Sequence, residues 1–223
     1  MAFIIMKMNM KNFKLNLGML LAVVVGAMCF AACSETNSTV EEFPEWQSKN
    51  DTYWTNLYNA TKAKVDAGDT SWKLILNYSK EKQANTATSA VTYKPEDYII
   101  VHVKEIGTGA ATPLYTDSVR VHYQGRLLPS TTYTSGLIFD TSWGGEKFNE
   151  HTARAAHMLV SSTVDGFSTA LQKMKVGDHW TVYMPYQLAY RGSEAGLVPA
   201  YSNLIFDLRL VEIAHPGTAL GNN

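Results

Sequence analysis

The chain of 223 residues has only two cysteines, and both lie near its N-terminus. Cys29 lies inside an apolar run and Cys33 lies just after it, so the rest of the sequence has no thiol for a disulfide or for nucleophilic catalysis. A secreted fold without disulfides has to rely on an apolar core. A content of 46% hydrophobic residues is enough to build one.

The first 32 residues lack acidic side chains and begin with a stretch that contains three lysines. An apolar run follows over residues 15–32, and small residues precede Cys33. This order is typical of a secretory signal, and Ala-Ala-Cys is similar to the lipobox of bacterial lipoproteins. We therefore expect residues 1–32 to be a lipoprotein signal peptide and Cys33 to carry lipid. The alternatives are a plain signal peptide and a transmembrane anchor, although the run is short for about 30 Å of hydrocarbon.

Removal of residues 1–32 would take three lysines and no acidic residue, which changes the formal net charge from −1 to −4. Such a chain lacks the basic balance of proteins that bind nucleic acid, so we expect no nucleic-acid partner. Attachment to a membrane would come from the lipid rather than from a basic patch. We expect a lipid-anchored protein of the bacterial cell envelope, in the outer membrane and facing the periplasm.

Metal and cofactor chemistry find no support in the sequence. The six histidines show no His-x-x-x-His spacing, which is a common arrangement of metal ligands on a helix. No phosphate-binding loop, dinucleotide fingerprint or Gly-x-Ser-x-Gly elbow is present. We therefore expect no metal site and no cofactor.

The sequence that follows the signal divides into an extension, a domain and a tail. We assign residues 33–90 to a tether and an N-terminal helical extension, residues 91–215 to the domain, and residues 216–223 to a C-terminal tail. The change of pattern near residue 93, where alternation typical of strands begins, supports the main boundary.

Aromatic and apolar side chains recur at spacings of four and seven from Trp46 to Val65, which predicts a helix that ends at Gly68. An alternation over residues 72–78 predicts a short strand after it. The aromatic stripe over residues 46–58 has three interpretations. It packs on the following domain, forms a peptide-binding face, or joins two copies of the chain in a homodimer.

The domain combines strands with one helix. Apolar and polar residues alternate, as strands require, over residues 119–124, 180–184 and 204–210. Between the first two segments, one apolar face predicts a helix over residues 166–176, with Asp165 as its cap and Gly177 at its end. Several antiparallel strands with a helix on one face make an α+β domain.

Five segments resemble, in the same order, the signature motifs of FKBP-type peptidyl-prolyl isomerases. They are DSVRVHYQGRL at 117–127, GLIFDTS at 136–142, VDGFSTAL and MKVG within 164–177, PYQLAYRG at 185–192, and GLVPAYSNLIF at 196–206. The resemblance covers residues 95–213 and is greatest to the lipoprotein members of Bacteroides-like bacteria. It implies a twisted antiparallel half-barrel sheet wrapped around one helix and preceded by a helical extension.

The resemblance also implies a peptidyl-prolyl cis/trans isomerase that assists the folding of exported proteins and acts on prolyl-containing polypeptides. As its catalytic residues, Phe167 would form the floor of an apolar pocket, Tyr190 would donate its hydroxyl to a substrate carbonyl, and Asp140 would orient nearby groups. The backbone N–H of Val198 would be a second donor. The substrate-binding walls would be Tyr123, Phe139, Val164, Val198, Phe206 and Phe148, with Trp143 as the alternative to Phe148.

Three departures from the family pattern motivate an alternative function. Phe167 stands where the family usually has tryptophan, Arg191 stands where glycine is usual, and residues 143–157 do not align with the family's corresponding segment. The alternative is a non-catalytic chaperone or partner-binding lipoprotein that uses the same fold.

Overall fold

A computed structural model describes residues 40–81, 83, 91–145 and 147–221. The predicted signal peptide and the predicted lipidation site, Cys33, lie outside these residues. The described residues from Glu41 onward group into one unit. Its helices and strands, in chain order, are α1 Trp46–Asp66, β1 Trp72–Leu76, β2 Tyr98–Glu105, β3 Ser118–Arg126, β4 Ile138–Thr141, β5 Ala156–Leu159, α2 Asp165–Leu171, β6 His179–Met184 and β7 Leu204–Ala214.

The strands form one antiparallel sheet in the order β1-β2-β6-β7-β3-β4, and β5 also pairs with β3. One edge of β3 pairs with β7 along its whole length. The opposite edge is divided, because β4 pairs with residues 124–126 and β5 pairs with residues 118–121. The predicted α+β class with an antiparallel sheet and an N-terminal helix is thereby confirmed.

Helix α2 packs on one face of this sheet and is buried along nearly its whole length. The alternation of β7 turns Phe206, Leu208 and Leu210 toward the core and leaves the residues between them half-buried. The helix is shorter than predicted and ends at Leu171. Past this point the backbone N–H groups of Lys173 and Met174 donate to carbonyls three residues earlier. Such bonds form a 3₁₀-type turn, which is tighter than an α-helical turn and marks the end of the helix.

The capping prediction for α2 was wrong. Asp165 is the first helical residue, and the position before the helix belongs to Val164, which makes no side-chain capping hydrogen bond. The side chain of valine has no acceptor, so the first N–H groups of the helix obtain no capping bond from it. Gly177 has a φ of +91° and lies beyond the turn that follows the helix.

Helix α1 is held against the domain by its buried face. Trp46 and Trp54 are buried, and Trp46 Nε1 donates to Ser202 Oγ over 2.7 Å. Asn50 is fully buried, its Oδ1 accepts the backbone N–H of Asn203 at 2.8 Å, and the Asn203 amide donates back to the Asn50 carbonyl at 2.7 Å. These contacts favour the packing interpretation of the aromatic stripe for the two tryptophans.

Replacement of Asn50 tests how strongly this contact fixes the helix. Asn50→Ala leaves the buried backbone N–H of Asn203 without its acceptor, so we expect a loss of about 1–3 kcal/mol in the free energy of unfolding. Asn56→Ala, on an exposed position of the same helix, should change it by less than about 0.5 kcal/mol. Urea unfolding followed by circular dichroism measures both, and equal stabilities of the two variants would contradict the assignment.

Candidate functional site

A cavity of about 260 Å³ lies where helix α2 meets the divided edge of β3. Seven of the nine residues predicted to form a pocket come together at its lining, and three further residues complete it. The predicted ones are Tyr123, Phe139, Asp140, Val164, Phe167, Tyr190 and Phe206, and the others are Met158, Ser162 and Thr163.

Four aromatic rings from three strands and the helix form the apolar part of this pocket. The ring of Phe206 is met edge-on by Phe167 at 5.1 Å and by Phe139 at 5.6 Å between centroids. Tyr123 lies 6.1 Å from Phe167, again edge to face. Edge-to-face packing is a favourable arrangement of aromatic rings, so each ring holds its neighbour in place. The predicted positions of Phe167 at the helix start and Phe206 on β7 agree with this cluster.

Gly125 of β3 makes the close approach of these rings possible. A Cβ atom at this position would lie 2.5 Å from Phe139 Cζ and 2.7 Å from Phe206 Cε1. Both distances are shorter than any normal carbon–carbon contact. The absence of a side chain on this strand is therefore what allows two phenyl rings to pack against its backbone.

The acidic group of the pocket, Asp140, is held by hydrogen bonds. The Tyr123 hydroxyl donates to Asp140 Oδ2 over 2.7 Å, and the Thr141 backbone N–H donates to Asp140 Oδ1 over 2.8 Å. Burial raises the pKa of Tyr123, and the hydrogen bond to the carboxylate raises it further. The tyrosine therefore stays neutral and keeps its proton on the bond to Asp140 across the physiological range.

Two hydrogen-bond donors at the pocket lining are unused. Within the described residues the Tyr190 hydroxyl takes part in no hydrogen bond, and its side chain is half-exposed. The backbone N–H of Val164, immediately before helix α2, likewise has no acceptor in that part of the chain. An acceptor that enters the cavity, such as a carbonyl oxygen, can therefore be bound without displacing a bond the protein already makes.

The predicted donor role of the Val198 backbone was wrong. Val198 is buried in the core, and its N–H donates to the Ala195 carbonyl over 2.9 Å while Ala195 N–H donates to the Val198 carbonyl at the same distance. This pair closes a tight turn and consumes the N–H that was expected to meet a ligand. Val198 is not part of the cavity lining, so neither of its predicted roles is supported.

Phe148 was also predicted wrongly as a pocket wall. Its ring packs against His122 at 4.9 Å and Trp143 at 5.3 Å, and the guanidinium of Arg209 lies 4.4 Å from its centroid. His122 precedes Tyr123 on β3, and successive side chains of a strand point to opposite faces. Phe148 and Trp143 therefore cover the sheet on the side away from the pocket.

The residues that the sequence did not reveal enter from β5 and the turn after it. Met158 reaches the lining because β5 pairs with β3, with Met158 opposite Val119. Ser162 ends a short 3₁₀ turn, Val160–Ser162, and Thr163 follows it and leads toward helix α2. Half-buried and exposed residues alternate over β5 in the structure, but the sequence does not show this, because the exposed Leu159 is apolar and four residues are too few to distinguish a strand from a loop.

Arg191 lies beside Tyr190 at the rim and adopts a backbone conformation that favours glycine. Its φ is +59°, in the left-handed region where side chains other than glycine are strained. Its Nη2 lies 3.2 Å from Asp165 Oδ2, in an exposed ion pair. The long cation is thus turned toward the start of helix α2 rather than left without a partner.

Neither a metal cluster nor a membrane-spanning helix is found in the described residues. Among residues 40–81, 83, 91–145 and 147–221, no three or more His, Cys, Asp and Glu side chains are placed to hold a metal ion. No helix in the same part of the chain is both long enough and apolar enough to cross a membrane.

The hydrogen bond between Tyr123 and Asp140 gives a pH-dependent prediction. Because the folded-state pKa of Tyr123 is raised above its ordinary value of 10, its contribution to stability is fully present below pH 10. This contribution falls above pH 10 and is lost as the pH rises through the raised folded-state pKa. The free energy of unfolding of the wild type relative to Tyr123→Phe should be constant from about pH 6 to 9 and fall above about pH 10. Denaturant unfolding of both proteins across this range measures it, and a difference that stays flat to the alkaline end would contradict the assignment.

Comparison with known proteins assigns the family. Residues 109–211 match the family of FKBP-type peptidyl-prolyl cis-trans isomerases. The chain is 36% identical over 112 residues to the macrophage infectivity potentiator of Trypanosoma cruzi, which covers 50% of each chain. It is 31% identical over 173 residues to the FKBP-type peptidyl-prolyl cis-trans isomerase FkpA of Aeromonas hydrophila, which covers 77% of this chain and 57% of that one.

A third relative is the FKBP-type 22 kDa peptidyl-prolyl cis-trans isomerase of Escherichia coli K12, 31% identical over 63% of this chain and 58% of its own. The chain thus spans between half and three fifths of the length of these relatives. The crystal structure of a peptidyl-prolyl cis-trans isomerase from Pseudomonas syringae matches the fold with a TM-score of 0.51 and 22% identity, over 76% of this chain and 96% of that one. Residues 109–211, which contain the whole lining of this pocket, are therefore a domain of the family of FKBP-type peptidyl-prolyl cis-trans isomerases.

Proposed function

We propose that this protein catalyses the cis/trans isomerisation of Xaa–Pro bonds in exported polypeptides. The observation that carries the proposal is the composition of the pocket. Aromatic rings form its floor and walls, and two unused hydrogen-bond donors, the Tyr190 hydroxyl and the Val164 backbone N–H, lie at its lining. The family assignment of the domain supports the same activity.

The chemistry that such a pocket has to perform is a rotation and not a bond cleavage. The C–N bond of an amide is partly double, which gives a barrier of about 18–20 kcal/mol, and uncatalysed exchange at Xaa–Pro takes tens to hundreds of seconds. The twisted amide is less charge-separated than the planar one. An apolar pocket therefore stabilises the twisted form relative to the planar form, which is the condition for catalysis.

The residues of the pocket divide the work between shape and hydrogen bonding. Phe167 and its aromatic neighbours provide a close-packed surface for the proline ring, and the two unused donors can hold carbonyl oxygens on the substrate so that the amide between them turns. Asp140, fixed by Tyr123 and the Thr141 N–H, places a negative charge at the pocket edge. This negative charge can act on the carbonyl dipole as it rotates.

Removal of the Tyr190 hydroxyl tests this arrangement. Tyr190→Phe keeps the ring but loses one neutral hydrogen bond to the substrate, so we expect kcat/KM for a short Xaa–Pro peptide to fall about three- to tenfold. Tyr201→Phe is the matched control, because Tyr201 is similarly exposed and lies outside the pocket lining.

A protease-coupled peptide assay measures both variants beside the wild type. The control should keep the wild-type rate. If the wild type itself gives no acceleration above the uncatalysed rate, the proposed activity is refuted. The alternative function, a non-catalytic chaperone or partner-binding lipoprotein, then takes its place. Equal rates of Tyr190→Phe and wild type would remove only the assigned role of the hydroxyl.

The burial of helix α1 helps to choose between the isomerase and the alternative function, a non-catalytic chaperone or partner-binding lipoprotein. A chaperone that binds clients through the aromatic stripe of α1 needs this stripe to be accessible. Trp46 and Trp54 are only 7% and 4% exposed, and Trp46 belongs to the hydrophobic core of the unit. The burial of these two anchors favours the isomerase over a client-binding helix.

We further propose that the chain is a lipoprotein of the cell envelope. The basic start, the apolar run and the small residues before Cys33 support a signal peptide over residues 1–32 and lipidation of Cys33. The name of one relative, an outer membrane protein of Legionella longbeachae that is 33% identical over 110 residues, is in line with an envelope location. Under this proposal residues 33–90 connect the lipid to the isomerase domain.

Substitution of the proposed lipidation site gives a direct test. Cys33→Ser removes the thiol that would receive the lipid, so we expect the protein to move from the membrane fraction to the soluble envelope fraction of the expressing bacterium. Mass spectrometry of the N-terminal peptide should show a mass increase from acylation in the wild type alone. Cys29→Ser, four residues earlier, is the control and should leave the protein in the membrane fraction.

A further inference from the structure

A partly exposed apolar patch lies outside the pocket and is formed by the exposed Leu114 and Tyr115 and the half-buried Tyr78; we call it the tyrosine patch. The side chains of Leu114 and Tyr115 are 58% and 41% exposed. The rings of Tyr78 and Tyr115 stack at 5.2 Å between centroids with an interplanar angle of 29°. The patch therefore joins the N-terminal extension, just after β1, to the loop that precedes β3.

One side of the patch is bonded to the helix that carries the pocket floor. The backbone N–H of Tyr78 donates to Thr169 Oγ1 over 3.3 Å, and that hydroxyl donates to the carbonyl of Asp165 over 2.7 Å. Asp165 directly follows Val164, a residue of the pocket lining. Tyr78 is thus held against the same helix whose first residues border the cavity.

The other side of the patch is bonded to the turn that lines the cavity. Asp117 is fully buried, its Oδ2 accepts the Leu114 N–H at 2.8 Å, and its carbonyl accepts the Val160 N–H at 2.9 Å. Val160 begins the 3₁₀ turn that ends at Ser162, which belongs to the lining. A buried carboxylate therefore fixes the loop of Leu114 and Tyr115 next to the pocket wall.

Charges at the rim agree with this placement. Asp165 forms the ion pair with Arg191, which follows Tyr190 of the pocket. The pKa of Tyr78 is raised to about 12, first by its hydrogen bond to Tyr115, then by burial and the field of Tyr115, and also by the carboxylate of Asp165. The patch and the rim ion pair are thus attached to the same turn of helix α2, because Thr169 bonds to both the Tyr78 N–H and the Asp165 carbonyl.

We propose that the tyrosine patch binds the part of an extended polypeptide that leaves the pocket past Val164, with preference for apolar or aromatic side chains near the proline. This inference rests on the proposed function, because it adds a second contact to the same site. A cavity of about 260 Å³ is smaller than the roughly 300–1,000 Å³ that encloses a drug-sized ligand. A longer chain must therefore continue over the rim.

The nature of the patch determines what it recognises. Tyrosine rings offer a large contact area at a low cost in conformational entropy, and here they are already stacked on each other. Unfolded polypeptides differ from folded ones in exposing apolar side chains to water, and those side chains gain by burial on such a surface. The tyrosine patch would therefore favour unfolded chains over isolated prolyl dipeptide units.

Binding of two labelled peptides to the full chain tests the inference without depending on catalysis. Each peptide has about twelve residues, which extend over about 40 Å, and a central Leu-Pro. One carries leucine and phenylalanine on both sides of this core, and the other carries serine at the same positions. Fluorescence anisotropy gives the dissociation constant of each peptide for each variant.

The test variant carries Leu114→Ser together with Tyr115→Ala, and Tyr133→Ala is the matched control. Tyr133 is 44% exposed, slightly more than Tyr115, and lies in the loop before β4. We expect the test variant to bind the apolar peptide about five- to tenfold more weakly and the serine peptide within about twofold of wild type. Tyr115→Phe, which keeps the ring, should bind like the wild type.

The outcomes separate the inference from the proposed function. An unchanged affinity of the test variant for the apolar peptide, or an equal loss for both peptides, would refute the role of the patch. The isomerisation of a short tetrapeptide, measured in parallel, should be the same for the test variant and the wild type. A wild type without isomerase activity that still shows the difference in binding would refute the proposed function and leave the patch as a polypeptide-binding surface.

Discussion

The pairing of strand β3 with three other strands is the interaction on which the site depends. Strand β7 occupies one edge of β3, and β4 and β5 divide the other. This pairing brings Phe206, Asp140 and Met158, which are distant in sequence, into contact with the pocket beside Tyr123. Because side chains alternate between the faces of a sheet, a shift of β3 by one residue would turn Tyr123 away from the helix and replace it with His122 or Gln124. The backbone ladder therefore holds the pocket, and the aromatic rings then fix its shape.

The pocket combines two kinds of environment that a globular core usually keeps apart. Its floor is a close-packed aromatic cluster, which continues into the core through Phe206. Its edge has hydrogen-bond donors and one acidic group, Asp140. Each carboxylate oxygen of Asp140 accepts a hydrogen bond, whereas the Tyr190 hydroxyl makes none within the described residues. Engaged groups keep their orientation when a ligand arrives, and free groups can bind it. Such a division is what a catalyst of bond rotation needs, since nothing in the reaction is transferred to the protein.

Much of the pocket was predicted from the sequence through the resemblance of its segments to the family motifs, and the residues predicted correctly lie in elements with a clear period. The alternation on β3 and β7 indicates which side chains share a face, and the apolar stripe of α2 places Phe167 next to them. Phe148 was misplaced because it lies in an irregular segment where no period relates it to a face. The Val198 N–H was misjudged because its bond to Ala195 depends on the closure of a turn, which residue types do not reveal. Met158 was missed because β5 is too short to give a pattern before its pairing with β3 is known.

The divided edge of β3 has a consequence for how the protein can change. Strands β4 and β5 are each anchored to β3, and Ser142 continues the β4 side by bonding to the backbone of Tyr123. Residues 149–155, which precede β5, therefore do not determine where Asp140 and Met158 lie. Closure entropy rises only slowly with the length of a flexible loop, by about 0.6 kcal/mol for each doubling. This segment can therefore gain or lose residues with little effect on the pocket, while the Trp143 and Phe148 side chains cover the opposite face of the sheet. The fold thus contains an insertion point at which a new recognition surface could be added while the pocket stays as it is.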